Sequence, residues 1–228
     1  MDKIKKNINK VYERLFDYYS YQGWWPTASY RENRGKTYPK NDNDKFEIIM
    51  GAILTQNTTW LSVDKSLSNL SRFTDFNPKN IMNFINKDPD KFKQLIRPAG
   101  YYNQKFEYIK NIGEFFINLN GKTPLRKEIL EVKGVGNETA DSILLYAYGE
   151  KEFVVDAYTV RMFSYLGFFS EKTTYLKIKK LFEDNFNGDV SDYQEYHALI
   201  VEHGKNHYRK KPYGLNDKLL EEYKLRDD

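Results

Sequence analysis

Apolar residues in this chain recur with the period of an α-helix. After Asn43-Asp44 they fall at Phe46, Ile49, Met50, Ile53 and Leu54, the i, i+3, i+4, i+7, i+8 stripe of a helix that buries one face. Asn43 or Asp44 is expected to cap it. Asn77-Pro78 and Asp88-Pro89 each read as a cap followed by a proline at the first helical position. A long helix is expected from about 102 to 119, ended by Asn120-Gly121, and a short one from Thr123-Pro124 to Leu130. Asn137 is expected to cap the next, two more are expected at about 157–166 and 172–186, and Ser191 with Gln194 reads as a capping box for the last. No convincing run alternates polar and apolar residues as a strand would. The predicted class is all-α, in two lobes.

Composition narrows the function. Lys and Arg number 36 and Asp and Glu 32, a formal charge of +4, which permits a polyanion as partner without demanding one. There is no cysteine, so disulfides, cysteine-ligated iron–sulfur clusters, thiolate zinc sites and a cysteine nucleophile are all excluded. The longest apolar stretch, Ile48 to Leu54, is far too short to span a bilayer. The basic N-terminus lacks the apolar core of a signal peptide. No membrane partner and a cytoplasmic location, nucleoid-associated in a prokaryote, are expected. Aromatic residues make up 16% of the chain, enough to build a core or to stack on something.

The most informative segment is Leu130-Glu131-Val132-Lys133-Gly134-Val135-Gly136-Asn137-Glu138-Thr139-Ala140. A short helix ends, Gly-Val-Gly turns, and a helix restarts at once. Two glycines allow positive φ and close approach of a bulky surface, and N–H groups at a helix N-terminus suit a phosphate. Taken alone, such a turn is better read as an ordinary helix–helix connection. Further on, Phe153-Val154-Val155-Asp156-Ala157-Tyr158 puts an acid after an apolar run at the start of a helix. There it can cap the helix, and it can also be aimed into a cleft.

Together these segments resemble the helix–hairpin–helix (HhH-GPD) DNA glycosylases of the endonuclease III superfamily. Gly51-Ala52-Ile53-Leu54-Thr55-Gln56-Asn57-Thr58 resembles the family's N-terminal helix and turn, and His203-Gly204-Lys205 with Arg209-Lys210-Lys211-Pro212 its C-terminal segment. The resemblance runs roughly from Gly23 to Pro212. It implies two helical lobes with a cleft between them and the hairpin at the cleft mouth. One lobe would be a helical barrel of residues 44–149, the other would join 1–43 with 150–228. It implies a monomer on double-stranded DNA containing a damaged base, which is flipped out because its glycosidic bond cannot be reached inside the duplex. Gln56 matches the residue that fills the hole the base leaves. Asn57, Lys133, Gly134, Val135, Gly136 and Thr139 are the other expected DNA contacts. Asp156 matches the catalytic aspartate. The backbone carbonyls of Leu130, Val132 and Val135 match those that hold a Na⁺ or K⁺ ion in relatives.

Two departures sharpen the resemblance. Members with lyase activity carry a lysine two residues after the second glycine, where this chain has Glu138. A carboxylate cannot form a Schiff base, so a monofunctional enzyme using water is expected. Many relatives end in four cysteines around an iron–sulfur cluster, and this chain has none. Gly23-Trp24-Trp25-Pro26 with Phe46 resembles the aromatic pocket of the cluster-less 3-methyladenine branch. Lys205 matches a lysine near that pocket, and equally fits a phosphate contact in a basic tail. An alkylated purine is electron-poor and would stack on an indole with some cation–π gain. A uracil, thymine-mismatch or oxidised-purine enzyme stays open, since Asn57 and Tyr158 could read a neutral base edge. A non-catalytic DNA-binding protein would use the hairpin but would need neither Asp156 nor the paired tryptophans.

Overall fold

The structure, a computed structural model, describes residues 3–26 and 39–225. Among these every regular element is a helix and no strand occurs. In chain order they are α1 (Lys3–Tyr19), α2 (Asp42–Leu54), α3 (Trp60–Leu70), α4 (Pro78–Lys87), α5 (Pro89–Ile96), α6 (Tyr102–Asn118), α7 (Arg126–Leu130), α8 (Asn137–Ile143), α9 (Ala157–Tyr165), α10 (Tyr175–Asn185) and α11 (Val190–His207). A single π-type turn, Leu144–Tyr148, continues α8 and stops at Gly149, whose φ is +68°. No helix among the described residues is long and apolar enough to cross a membrane. By contact the chain divides into two units: Met1–Pro26 with Glu150–Asp228, and Thr27–Gly149.

The unit of residues 27–149 is built around α2. All nine residues from Phe46 to Leu54 are buried, so the expected one-sided stripe is corrected to a helix covered all round. The physical reason lies in the continuous apolar run Ile48–Leu54, which leaves no polar face to present to water. Phe46 is wholly enclosed, with its ring 5.4 Å from Phe116. Gly113 of α6 lets that helix close in, since a Cβ there would meet Met82 Sδ at 2.6 Å. Residues 40–43, expected with the chain ends, belong by contact to this unit. Asn41 is the cap of α2, accepting the Asp44 N–H at 3.0 Å, while the Asp44 carboxylate accepts the Lys40 N–H. The cap therefore sits two to three residues before Asn43 and Asp44.

The unit formed by the chain ends has an aromatic core. Phe153 stacks on Phe182 at 4.1 Å and 8°, and Phe163, Tyr193 and Tyr196 meet this pair edge-on. Edge and offset arrangements are those the ring quadrupoles favour. Much of the aromatic content is thus core. Tyr196 donates its hydroxyl to the Ile8 carbonyl at 2.8 Å, tying α11 to α1. The helix α1, which the pattern reading above leaves out, buries Ile8, Val11 and Leu15 at i, i+3 and i+7. Likewise α3 buries Val63, Leu67 and Leu70. The cap of α11 is Asp189, reciprocal with Asp192, rather than Ser191 with Gln194. Asn137 does not cap α8. It is the first helical residue, and its Oδ1 accepts from Arg126 instead. Asn77 and Asp88 cap α4 and α5 as the prolines suggested.

Candidate functional site

The hairpin lies between α7 and α8. Gly134 has φ +104°, and a Cβ on it would stand 2.2 Å from the Tyr108 ring of α6. Both facts demand glycine. Gly136, the N-cap residue of α8, has φ −99° and ψ −179°, and nothing lies within 4 Å of where a Cβ would be. The expectation that both glycines supply positive φ is therefore corrected to one. Among the described residues nothing would meet a side chain at 136, so its backbone stands open there. Val135 is buried, and its N–H closes the turn onto the Val132 carbonyl at 3.0 Å. Lys133 is exposed, with its carbonyl held by Asn111 Nδ2.

Three of the expected DNA contacts come together here. The Gln56 amide donates to the Gly134 carbonyl at 2.9 Å and to the Thr139 hydroxyl at 3.1 Å. Gln56 thus pins the hairpin to the end of α2. Asn57, next to it, is exposed and left-handed at φ +54°. The two helices of the hairpin are clamped from within. Arg126 donates Nε to Asp141 Oδ1 at 2.6 Å and Nη2 to Asp141 Oδ2 and Asn137 Oδ1 at 3.1 and 2.8 Å. The Asp141 side chain is fully buried. Glu138 is exposed in the first turn of α8.

In the other unit Asp156 caps α9. Its Oδ1 accepts both the N–H and the hydroxyl of Thr159, each at 2.7 Å. Among the described residues no hydrogen bond reaches Oδ2. One oxygen thus orients the carboxylate while the other stays available, although the residue is 9% exposed. The buried His197 of α11 is the histidine near Asp156. Burial pushes its imidazole below its usual pKa, against the opposing pull of the Asp156 charge. Sequence reading missed it, because α11 brings it back from forty-one residues further on.

His197 also meets the Trp24 ring edge-on at 5.7 Å, and Trp24 meets Trp25 at 6.2 Å. Trp25 is buried and Trp24 half-buried. The segment that carries them is fastened by Glu195 of α11, whose buried carboxylate accepts the N–H groups of Gln22 at 2.5 Å and Gly23 at 2.9 Å. Burial holds that carboxyl above the usual range, with the two N–H donors opposing. Tyr158 packs against Gly204, where a Cβ would come within 2.4 Å of its ring, and Arg161 lies over that ring at 5.6 Å. Lys205 is exposed and pairs with Glu202 at 3.2 Å.

The C-terminal segment is fastened by a buried polar cluster. His203 Nε2 and the Tyr208 hydroxyl both reach Asp217 Oδ2, at 2.8 and 2.6 Å, and Tyr19 reaches His203 Nδ1 at 3.0 Å. Burial would raise the Asp217 carboxyl, but these partners and the Leu220 N–H outweigh it and hold it low. Among the described residues no group of three or more His, Cys, Asp or Glu side chains is placed to hold a metal.

Comparison with known proteins agrees with this arrangement. Residues 50–187 match the family model of the HhH-GPD superfamily base excision DNA repair proteins. A protein of Methanocaldococcus jannaschii, named as a candidate DNA repair glycosylase, is 45% identical over 215 residues, which are 90% of each chain. Endonuclease III of Sulfolobus acidocaldarius is 31% identical over 166 residues, 70% of this chain and 72% of that one. The structure of the Helicobacter pylori 3-methyladenine DNA glycosylase bound to 1,N6-ethenoadenine superposes with a TM-score of 0.69 and 27% identity, over 90% of this chain and 98% of that one. The helical fold, the clamped hairpin and the matched family model lead to one conclusion: the chain belongs to the HhH-GPD superfamily of base excision DNA repair proteins, and is a DNA glycosylase of that family.

Proposed function

We propose that this glycosylase is monofunctional and releases an alkylated purine, 3-methyladenine being the expected case, by hydrolysis. The observation that carries the first half is Glu138, an exposed carboxylate at the position where a lyase would need an amine. The second half is supported by the Trp24 and Trp25 indoles, which lie in the same unit as Asp156 and are joined to it through His197. It is supported also by the likeness to the Helicobacter pylori enzyme, whose structure holds an adenine adduct. A cationic purine is already a good leaving group, so the site needs charge stabilisation more than a strong acid. The C1′–N bond breaks with its electron pair leaving on the purine. Asp156 Oδ2 stabilises the oxocarbenium-like sugar and orients the water that adds to C1′, and the water's proton passes to the carboxylate. Burial works against a positive charge on His197, which favours a site where the Asp156 carboxylate supplies the charge. The carbonyls of Leu130, Val132 and Val135 would be the groups to hold a monovalent cation, which would supply positive charge for a phosphate.

Duplexes with single lesions, alongside methylated genomic DNA, test the reading. Release of free 3-methyladenine, with abasic sites uncut until alkali is added, is the expected result. Release of uracil, thymine or an oxidised purine would overturn the substrate, and strand cutting without alkali would overturn the monofunctional assignment.

The hairpin gives a paired prediction. Gly134→Ala meets both the left-handed backbone and the Tyr108 ring, and is expected to lower the melting temperature and DNA affinity together, with strain of order 1–3 kcal/mol from the backbone alone. Gly136→Ala adds a methyl into open space and is expected to leave the melting temperature unchanged while weakening DNA binding. Thermal denaturation and fluorescence anisotropy with a labelled duplex check both. Unaltered affinity in Gly136→Ala would remove the backbone of this turn from the interface.

A further inference from the structure

Lys105 is an unusual side chain to find inside a protein. It is 2% exposed, in the first turns of α6, and lysine is almost never fully buried unless it is paired. Its ammonium donates to two backbone carbonyls, Leu54 O and Ala99 O, both at 2.8 Å. Leu54 is the last residue of α2, and its carbonyl is one of those a helix end leaves without an intrahelical partner. A cation there also meets the negative end of the helix dipole. Burial lowers the lysine to about 8. A methionine would fill the same space without that desolvation cost but could hold neither carbonyl.

It holds two turns. The one after Leu54 carries Gln56, which pins the hairpin, and Asn57 with φ +54°. The one after Ala99 carries Gly100 with φ +70° and then Tyr101, with φ +46° and a 69% exposed ring. A left-handed tyrosine with its ring in solvent costs backbone energy and recovers none by burial. Such strain persists only where the surroundings fix it, and the Lys105 ammonium holds the Ala99 carbonyl two residues before Tyr101.

We infer that Lys105 is a positioning residue for base extrusion: its ammonium locks the end of α2 and the start of α6 into one edge, so that Gln56 and Tyr101 meet the duplex in register. This rests on the glycosylase reading only in taking that edge as facing DNA. The residue touches no substrate, so its effect belongs to the step in which the base leaves the stack, which costs a few kcal/mol in a paired duplex and much less in an unpaired strand.

The test compares wild type with Lys105→Met, in a duplex carrying 2-aminopurine at the target position and in the same strand unpaired opposite a gap. Fluorescence on binding reads extrusion, and base release is followed separately with a methylated duplex. Lys105→Met is expected to lose the fluorescence rise on the paired duplex, with extrusion slowed on the order of 100-fold, and to match wild type on the unpaired strand. Because the chain has no cysteine, Lys105→Cys can be aminoethylated at that one position before refolding. This restores an ammonium at nearly the native length and is expected to restore extrusion, which also covers the case in which the methionine variant does not fold. Wild-type extrusion in Lys105→Met, an equal loss on paired and unpaired DNA, or no rescue by the aminoethylated side chain would each overturn the inference. Failure of the wild type to release any base, with extrusion following this pattern, would instead overturn the proposed chemistry and leave Lys105 as inferred.

Discussion

Asp156→Asn is expected to abolish base release, by on the order of 10³-fold or more, while DNA affinity stays the same or rises. Asparagine caps a helix as well as aspartate does, and its remaining oxygen can still accept the Thr159 N–H and hydroxyl that Asp156 Oδ1 accepts at 2.7 Å. The fold and the start of α9 are therefore preserved. What disappears is the negative charge at the oxygen that no hydrogen bond from the described residues reaches. An oxocarbenium-like sugar is stabilised by that charge, and an amide dipole supplies only a fraction of it. Binding is expected to rest on phosphate contacts that this substitution leaves alone, and removing a negative charge can only reduce repulsion of a polyanion. Single-turnover release from a duplex with one lesion, beside anisotropy with the same duplex, separates the two effects. Full cleavage by this variant would sink the mechanism. Lost cleavage together with lost binding would show a folding defect, which circular dichroism would report.

Arg126→Met is expected to be the most damaging change in the hairpin. The Asp141 side chain is fully buried, and it would lose the guanidinium that reaches both of its oxygens. Breaking a buried ion pair by removing one partner costs about 3–5 kcal/mol, since the other charge stays desolvated. For a chain of this length that is a fall in melting temperature on the order of 10 °C. DNA affinity should fall with it, because α7 and α8 then lose the clamp that sets the angle of the turn between them. The double variant Arg126→Met with Asp141→Leu removes both charges and should recover much of the stability, as buried pairs replaced by apolar residues often do. A single variant with unchanged melting temperature would mean that the turn is held by its packing on Tyr108 and by Gln56 instead.

Much of this protein was legible in its sequence because the deciding information is local. Helical period, asparagine and aspartate followed by proline, and the absence of alternating runs fix an all-helical chain before any contact is known. Gly-Val-Gly between two short helices, an acid after Val154-Val155, and Glu138 in place of an amine are readable as chemistry, because bond geometry and charge belong to the residues themselves. Zero cysteine leaves this sequence no thiolate to ligate an iron–sulfur cluster, which is legible without any coordinates. Periodicity was also present in α1, at Ile8, Val11 and Leu15.

Other features were decided only by the tertiary structure, because they depend on which distant surfaces meet. Sequence alone cannot tell that Gly134 is glycine because of Tyr108, or that Gly136 is glycine with open space beside it. The helix α2 reads as one-sided, and becomes all-buried because neighbours close over both of its faces. His197 stands near Asp156 only because α11 carries it there, and Glu195 fastens Gln22 and Gly23 across more than 170 residues of chain. Lys105 reads as one more solvated lysine on a helix. Folding turns it into a buried cation, because two backbone carbonyls from separate turns converge on the space its ammonium fills. Local pattern is set by covalent geometry and the side chains within one turn, whereas burial and long-range pairing are set by the packing of the whole unit.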